Sequence, residues 1–174
     1  MTTTAAQQTQ QGTADDPLLQ WATFNLADEI YAVDVMQVKE VLTYAYTEIA
    51  PVPGSAHFIQ GILNLRGNVI TVVETRVLFG LPRTTPTSNA RIVVMEFTDQ
   101  VVGMVVDAVA EVIYLRQSQI ERAPNVGTDE SAKFIQGVSY HNDELIILLD
   151  LKKMIEEESN PISAATDSLL GDDD

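Results

Sequence analysis

"FIQGILNLRGNVITVVETR", residues 58–76, and "FIQGVSYHNDELIILLDLK", residues 134–152, lie over each other without a gap at a spacing of 76. Both open on the same four letters. Each then reads as an apolar run, a polar tip and a second apolar run. Val69-Ile70-Thr71-Val72-Val73 falls on Leu145-Ile146-Ile147-Leu148-Leu149, Glu74 on Asp150, and Arg76 on Lys152. Upstream the match continues at a spacing of 71. Asp28 falls on Asp99, and Val35, Val38, Glu40 and Val41 fall on Val106, Val109, Glu111 and Val112. The five-residue change between the two spacings is an ordinary difference in loop length. One structural unit is used twice.

The unit is built of strands. From Leu18 onward the chain falls into ten short runs rich in Val, Ile, Tyr and Phe, broken by Gly, Pro, Asn and Asp at roughly ten-residue intervals. They are "QWATFNL", "IYAVDV", "KEVLTYAYTEI", "GILNL", "VITVV", "RIVVMEF", "VVGMVV", "EVIYL", "FIQGVSY" and "LIILL". This pattern predicts an all-β protein of small barrels or a sandwich, about five strands to a unit. The segment "LPRTTPTSN" (81–89) has the composition of a boundary, which puts the sub-barrels at roughly 18–82 and 90–150 within one domain, 18–158. Each half alone has a marginal core, so the two barrels are expected to pack together, with strand exchange between them allowed. "VMQV" and "SAHF" each suit a single turn, and "LKKMIEEES" behind Asp150 suits a short C-terminal helix. Residues 1–17, poor in large apolar groups, read as a disordered tail, and 159–174 as an acidic tail.

Composition narrows the function. The chain has no cysteine, which excludes disulfides, thiolate metal sites and cysteine nucleophiles. No apolar run approaches the roughly 20 residues of a membrane helix, and the first residues have no signal-peptide pattern. These features predict a cytoplasmic protein with no direct membrane insertion. The net charge is −15, and the ten basic residues are thinly spread. A nucleic-acid partner needs clustered bases, so none is expected.

A repeat also sorts its residues. Positions that agree serve the shared architecture: Phe58, Ile59, Phe134 and Ile135 read as core anchors, and Gly61 and Gly137 as places of close backbone approach. Positions that differ at exposed places are better candidates for function. The clearest is the hairpin tip, "LRGN" (65–68) in the first copy and "HNDE" (141–144) in the second. A turn on Gly67-Asn68 or Asn142-Asp143 suits φ > 0. Arg66 is then pushed outward, where its fork suits a carboxylate partner.

The run "YAVDVMQVKEVL…IAPVP…FIQGILNLRGNVI", with "RIVVMEF…VVGMVVDAVAEVI" and "IQGV…ELIILLDL", resembles the CheW-type coupling proteins of bacterial chemotaxis over about 18–158. The sequence departs from the family's pattern at Thr71, where Pro is common, and at Glu74-Thr75, where an Asp-Leu pair is common. The resemblance implies two five-stranded, SH3-like barrels and a non-enzymatic adaptor at cytoplasmic receptor arrays. Its implied partners are the cytoplasmic hairpin of chemoreceptors and the regulatory domain of the histidine kinase CheA, with other CheW-like units in rings. It implies a receptor-facing surface of Val38, Glu40, Asn64, Arg66 and Gly67. The loop "IERAPNV" (120–126) supplies the expected kinase or array contacts, Ile120, Glu121 and Val126. The alternative is an auxiliary CheW-like scaffold that does not couple the main kinase.

Nothing in the sequence argues for catalysis. His57 and His141 sit in unlike contexts, and the four adjacent residues "HNDE" form a turn rather than converging ligands. There is no P-loop, G-x-S-x-G or H-E-x-x-H motif. No metal and no cofactor are expected.

Overall fold

The structure is a computed structural model and describes residues 15–122 and 126–155. Ten strands appear where ten were expected: β1 (Leu18–Leu26), β2 (Glu29–Asp34), β3 (Val38–Thr43), β4 (Ile59–Leu65), β5 (Asn68–Glu74), β6 (Arg91–Phe97), β7 (Gln100–Val106), β8 (Ala108–Arg116), β9 (Ile135–His141) and β10 (Glu144–Leu149). Three short helices follow strands or a loop: α1 (Thr75–Leu78), α2 (Asp129–Ala132) and α3 (Leu151–Ile155). "VMQ" forms a single 3-10 turn between β2 and β3. The start of the expected C-terminal helix is α3, where Asp150 accepts a hydrogen bond from the Lys153 N–H (3.3 Å). Its continuation and the acidic tail lie outside the described residues. So does most of the N-terminal tail, although Asp16 is held: its carboxylate accepts from Ser118 N–H (2.8 Å) and Ser118 Oγ (2.7 Å).

The strands form two five-stranded sheets. Barrel 1 has the order β8-β1-β2-β10-β9, and barrel 2 the order β3-β6-β7-β5-β4. Neither matches a half of the chain. The first hairpin of each unit, β1–β2 or β6–β7, joins the last three strands of the other unit. A boundary near residue 85 therefore separates the repeats in sequence but not the barrels in space. The physical reason is the short link between the second and third strands, which carries the chain from one sheet to the other. The boundaries 18–82 and 90–150 describe units, and each barrel draws on both.

The exchange is symmetric down to single pairs. In barrel 1, parallel β10 and β2 align Ile147 with Tyr31 and Leu148 with Ala32. In barrel 2, β5 and β7 align Thr71 with Val102 and Val72 with Gly103, the same pairs shifted by 76 and 71. The bulges coincide as well: Ile59/Gly61 pairs with Val73/Val72, and Ile135/Gly137 with Leu149/Leu148.

These bulges explain the repeated glycines. Each sheet curls until its edges meet at one bridge, Ala50 with Ile62 in barrel 2 and Glu121 with Val138 in barrel 1. The bridging strand passes directly over the glycine. A Cβ on Gly61 would overlap the Ala50 carbonyl, and one on Gly137 would stand 2.9 Å from the Glu121 oxygen.

Side chains divide among three cores. One is shared between the barrels and holds Phe24, Tyr31, Phe58, Phe79, Met95, Met104 and Phe134. Tyr31 and Phe79 lie 5.5 Å apart, and Phe79 and Phe134 6.1 Å, as ring centroids. Ile59 is buried with this group, and Ile135 packs half-buried against it. The other two fill the barrels: Trp21, Ala32, Ile113, Leu115, Ile146 and Leu148 in barrel 1, and Leu63, Ile70, Val72, Ile92 and Val94 in barrel 2. The two interiors differ in residue size at matching positions. Trp21 takes the place that Ile92 has in the other copy, and buried Ser139 takes the place of Leu63.

Candidate functional site

Arg66 and Gly67 form the tip of the β4–β5 hairpin with φ of 53° and 89°. Both central residues are left-handed, as a two-residue hairpin turn of the right twist requires. The turn expected on Gly67-Asn68 thus sits one residue earlier. Asn68 pairs with Leu65 and opens β5. Arg66 itself takes the conformation that a side chain ordinarily avoids. Asn64 steadies the turn by accepting the Gly67 N–H on Oδ1 (2.8 Å). Asn64 and Gly67 therefore shape the tip that carries Arg66.

The Arg66 side chain does not stand free. Its Nη1 and Nη2 donate to Glu40 Oε2 (3.0 Å) and Oε1 (2.8 Å). This is the two-pronged arrangement that the guanidinium plane favours. Arg66 is 72% exposed and Glu40 24% as side chains. Hydrogen bonds from Arg66 hold the Glu40 carboxyl below its ordinary pKa, and the same bonds raise that of Arg66. Glu40 lies on β3 and Arg66 beyond β4, the two edge strands of barrel 2. The ion pair therefore spans the seam where the sheet closes. At the other end of the seam Gln60 Nε2 donates to Tyr44 Oη (2.5 Å). Of the residues expected together, Glu40, Asn64, Arg66 and Gly67 meet here. Val38, half-buried, turns partly into the shared core.

Two exposed apolar residues were not singled out by the sequence reading: Val41 on β3 (43%) and Val69 at the start of β5 (58%). Val69 was hidden in an unbroken apolar run, which gives no alternation to mark the outward side.

The second copy lacks the pair. Asn142 and Asp143 make the β9–β10 turn with φ of 52° and 65°. Asn142 occupies the place of Arg66, and Glu111 that of Glu40. Barrel 1 instead exposes Val109, Val112, Tyr114 and Tyr140.

In the loop after β8, Ile120 packs against the interior of barrel 1, with its side chain over Gly137. Val126 packs half-buried against the shared core. Glu121 makes its bridge through the backbone and is exposed as a residue. Residues 123–125 lie outside the described part.

The family profile of the CheW-like domain matches residues 20–159. The chain belongs to the CheW-like family. Among relatives, it is 34% identical to the chemotaxis protein CheW of Thermotoga maritima over 134 residues, covering 77% of this chain and 85% of that one. It is 30% identical to the chemotaxis protein CheW of Klebsiella aerogenes over 135 residues, covering 78% and 80%. The crystal structure of scaffolding protein TtCheW from Thermoanaerobacter tengcongensis aligns with a TM-score of 0.73 at 32% identity, over 82% of this chain and 96% of that one. The CheW-like family is one of non-enzymatic chemotaxis scaffolds. Among the described residues no helix is long and apolar enough to cross a membrane.

Proposed function

We propose that this CheW-like protein acts at cytoplasmic receptor arrays, coupling the cytoplasmic hairpin of chemoreceptors to the regulatory domain of CheA. The observation that carries this reading is the Arg66–Glu40 pair: a solvent-accessible, two-pronged ion pair at the closing seam of barrel 2, whose positions in barrel 1 hold Asn142 and Glu111. Such a pair offers a helical partner polar anchoring. Val38, Glu40, Asn64, Arg66 and Gly67 form the receptor-facing side. The kinase side lies elsewhere, with Glu121 presented beside Ile120 and Val126, and pairing with CheA or with other CheW-like units closes rings. The mechanism is geometric. Two barrels fused through a shared core hold receptor and kinase at a fixed separation, so receptor movement biases the kinase between two states.

The test is a three-component reconstitution of this protein, a receptor signalling hairpin and CheA. Receptor-dependent control of the kinase supports the reading. Binding to receptor without any effect on CheA supports the auxiliary scaffold instead.

A further inference from the structure

Twice the chain crosses from one barrel to the other. The first crossing is the three-residue turn "VMQ" (Val35–Gln37). The second is a single residue, Asp107, between β7 of barrel 2 and β8 of barrel 1. Shifted by 71, Asp107 corresponds to Met36, which is 86% exposed. The two crossings are thus chemically unlike, although the strands on either side are superposable in register.

Asp107 is bound to barrel 1 by its own backbone and side chain. Its N–H donates to Asn25 O (3.0 Å), and its Oδ2 accepts the Ala27 N–H at the β1–β2 turn (2.8 Å). Ala27 sits there at φ 54°. From barrel 2, Arg76 on α1 reaches across. Its Nε donates to Asp107 Oδ1 (2.9 Å) and its Nη2 to Oδ2 (2.6 Å). Its remaining arm, Nη1, donates to Pro82 O (2.8 Å) at the start of the inter-unit linker. Arg76 is 18% and Asp107 33% exposed as side chains. A planar fork on a carboxylate fixes direction as well as distance.

We propose that Asp107 is a positioning residue which, through Arg76, sets the relative orientation of the two barrels. The shared core holds the barrels together but is made of apolar contacts, which are non-directional. The Arg76–Asp107 fork supplies direction at one crossing, and Met36 supplies no such group at the other. Loss of the fork leaves both barrels intact and lets one rotate against the other about the aromatic core. The consequence for coupling rests on the functional reading above; the orientation itself does not.

The absence of cysteine makes the test direct. Asn68→Cys and Glu144→Cys place one spin label at each hairpin tip, and pulsed electron-spin resonance reads the distance distribution. Asp107→Asn and Arg76→Lys, each folded by circular dichroism, are expected to broaden or shift it. Arg83→Gln, which removes the Arg83–Glu74 pair within barrel 2 and its linker (3.0 Å), is expected to leave it unchanged. Unchanged distributions in both folded variants overturn the proposal. So does a failure of both to fold, which makes the pair a folding element instead. In reconstitution, the same two variants keep their separate affinities for receptor hairpin and CheA while receptor control of the kinase falls about fivefold or more. If neither partner binds wild-type protein, the coupling reading fails while the distance result stands.

Discussion

Arg66 and Glu40, 26 residues apart in the chain, are joined by two hydrogen bonds across the seam where barrel 2 closes. Both side chains are accessible to solvent, so the pair adds little to stability. What it provides is a fixed direction for a charged group on the surface. Arg66→Glu therefore leaves the melting temperature nearly unchanged and sharply reduces receptor-dependent kinase activation. The double variant Arg66→Glu with Glu40→Arg restores the pair with its polarity reversed. Partial recovery of activation assigns the effect to the pair's geometry; no recovery assigns it to the sign of the charge presented.

Gly61→Ala and Gly137→Ala place a methyl group against the backbone of the bridging segment. Overpacking of this kind costs about 1–3 kcal/mol. Backbone cannot swing aside as a side chain can, and the Ala50 carbonyl lies closer than the Glu121 oxygen. Gly61→Ala is thus the more damaging of the two, as urea denaturation will show.

The two barrel interiors carry residues of different size at matching positions, Trp21 against Ile92 and Ser139 against Leu63, which predicts that the two exchanges are coupled. Trp21→Ile leaves a cavity and costs about 3 kcal/mol. Ser139→Leu overfills and costs about 1–3 kcal/mol. Together they place in barrel 1 the residues that barrel 2 has at these two positions, and the double variant is expected to be more stable than the sum of the two losses by about 0.5–3 kcal/mol. A double-mutant cycle in urea gives the value directly.

Thr75 is fully buried, and its hydroxyl has no hydrogen-bond partner. Valine has the same shape without the polar atom, so Thr75→Val raises stability by about 1 kcal/mol. An unchanged urea midpoint counts against the hydroxyl being a burden.

Acid tests the Asp107 fork in a different way. Burial raises the Asp107 pKa, but hydrogen bonds from Arg76 and the Ala27 N–H outweigh burial and leave it below its ordinary 3.8. A carboxyl with a lowered native pKa contributes stability that is complete above the unfolded value and is lost as pH falls through the native one. Arg76 remains charged throughout. The difference in stability between wild type and Asp107→Asn is therefore constant above about pH 5 and shrinks below pH 3.8, as thermal melts across that range will register.

The strands, their number and the role of "FIQG" were legible because a repeat shows twice what a single strand shows once. Phe58 and Phe134 had to be core if both copies were to fold. Strand exchange was allowed by the sequence, but which strands exchange was not legible. Sequence alignment pairs Val38 with Val109 whichever sheet each strand joins, and only the short link between β2 and β3 carries the choice. At the candidate site, Arg66 and Glu40 were picked out separately, yet their bond was not. The partners lie on opposite edges of a sheet, and edges meet only when the sheet has curled. Asp107 was missed for a related reason. It ends an apolar run and reads as a turn residue, and Arg76 aligned with Lys152 as one more repeated cation.

The exchanged hairpins bear on ancestry. A single copy of the unit would own one hairpin and three further strands that belong in different barrels. Alone it has no partner for either set. Two separate molecules of such a unit would complete each other by trading hairpins, as a swapped pair with a twofold axis does. Joining two such molecules end to end through a stretch like "LPRTTPTSN" yields this chain. Once joined, the halves were released from identity. The first now carries Arg66 and Met36 where the second carries Asn142 and Asp107.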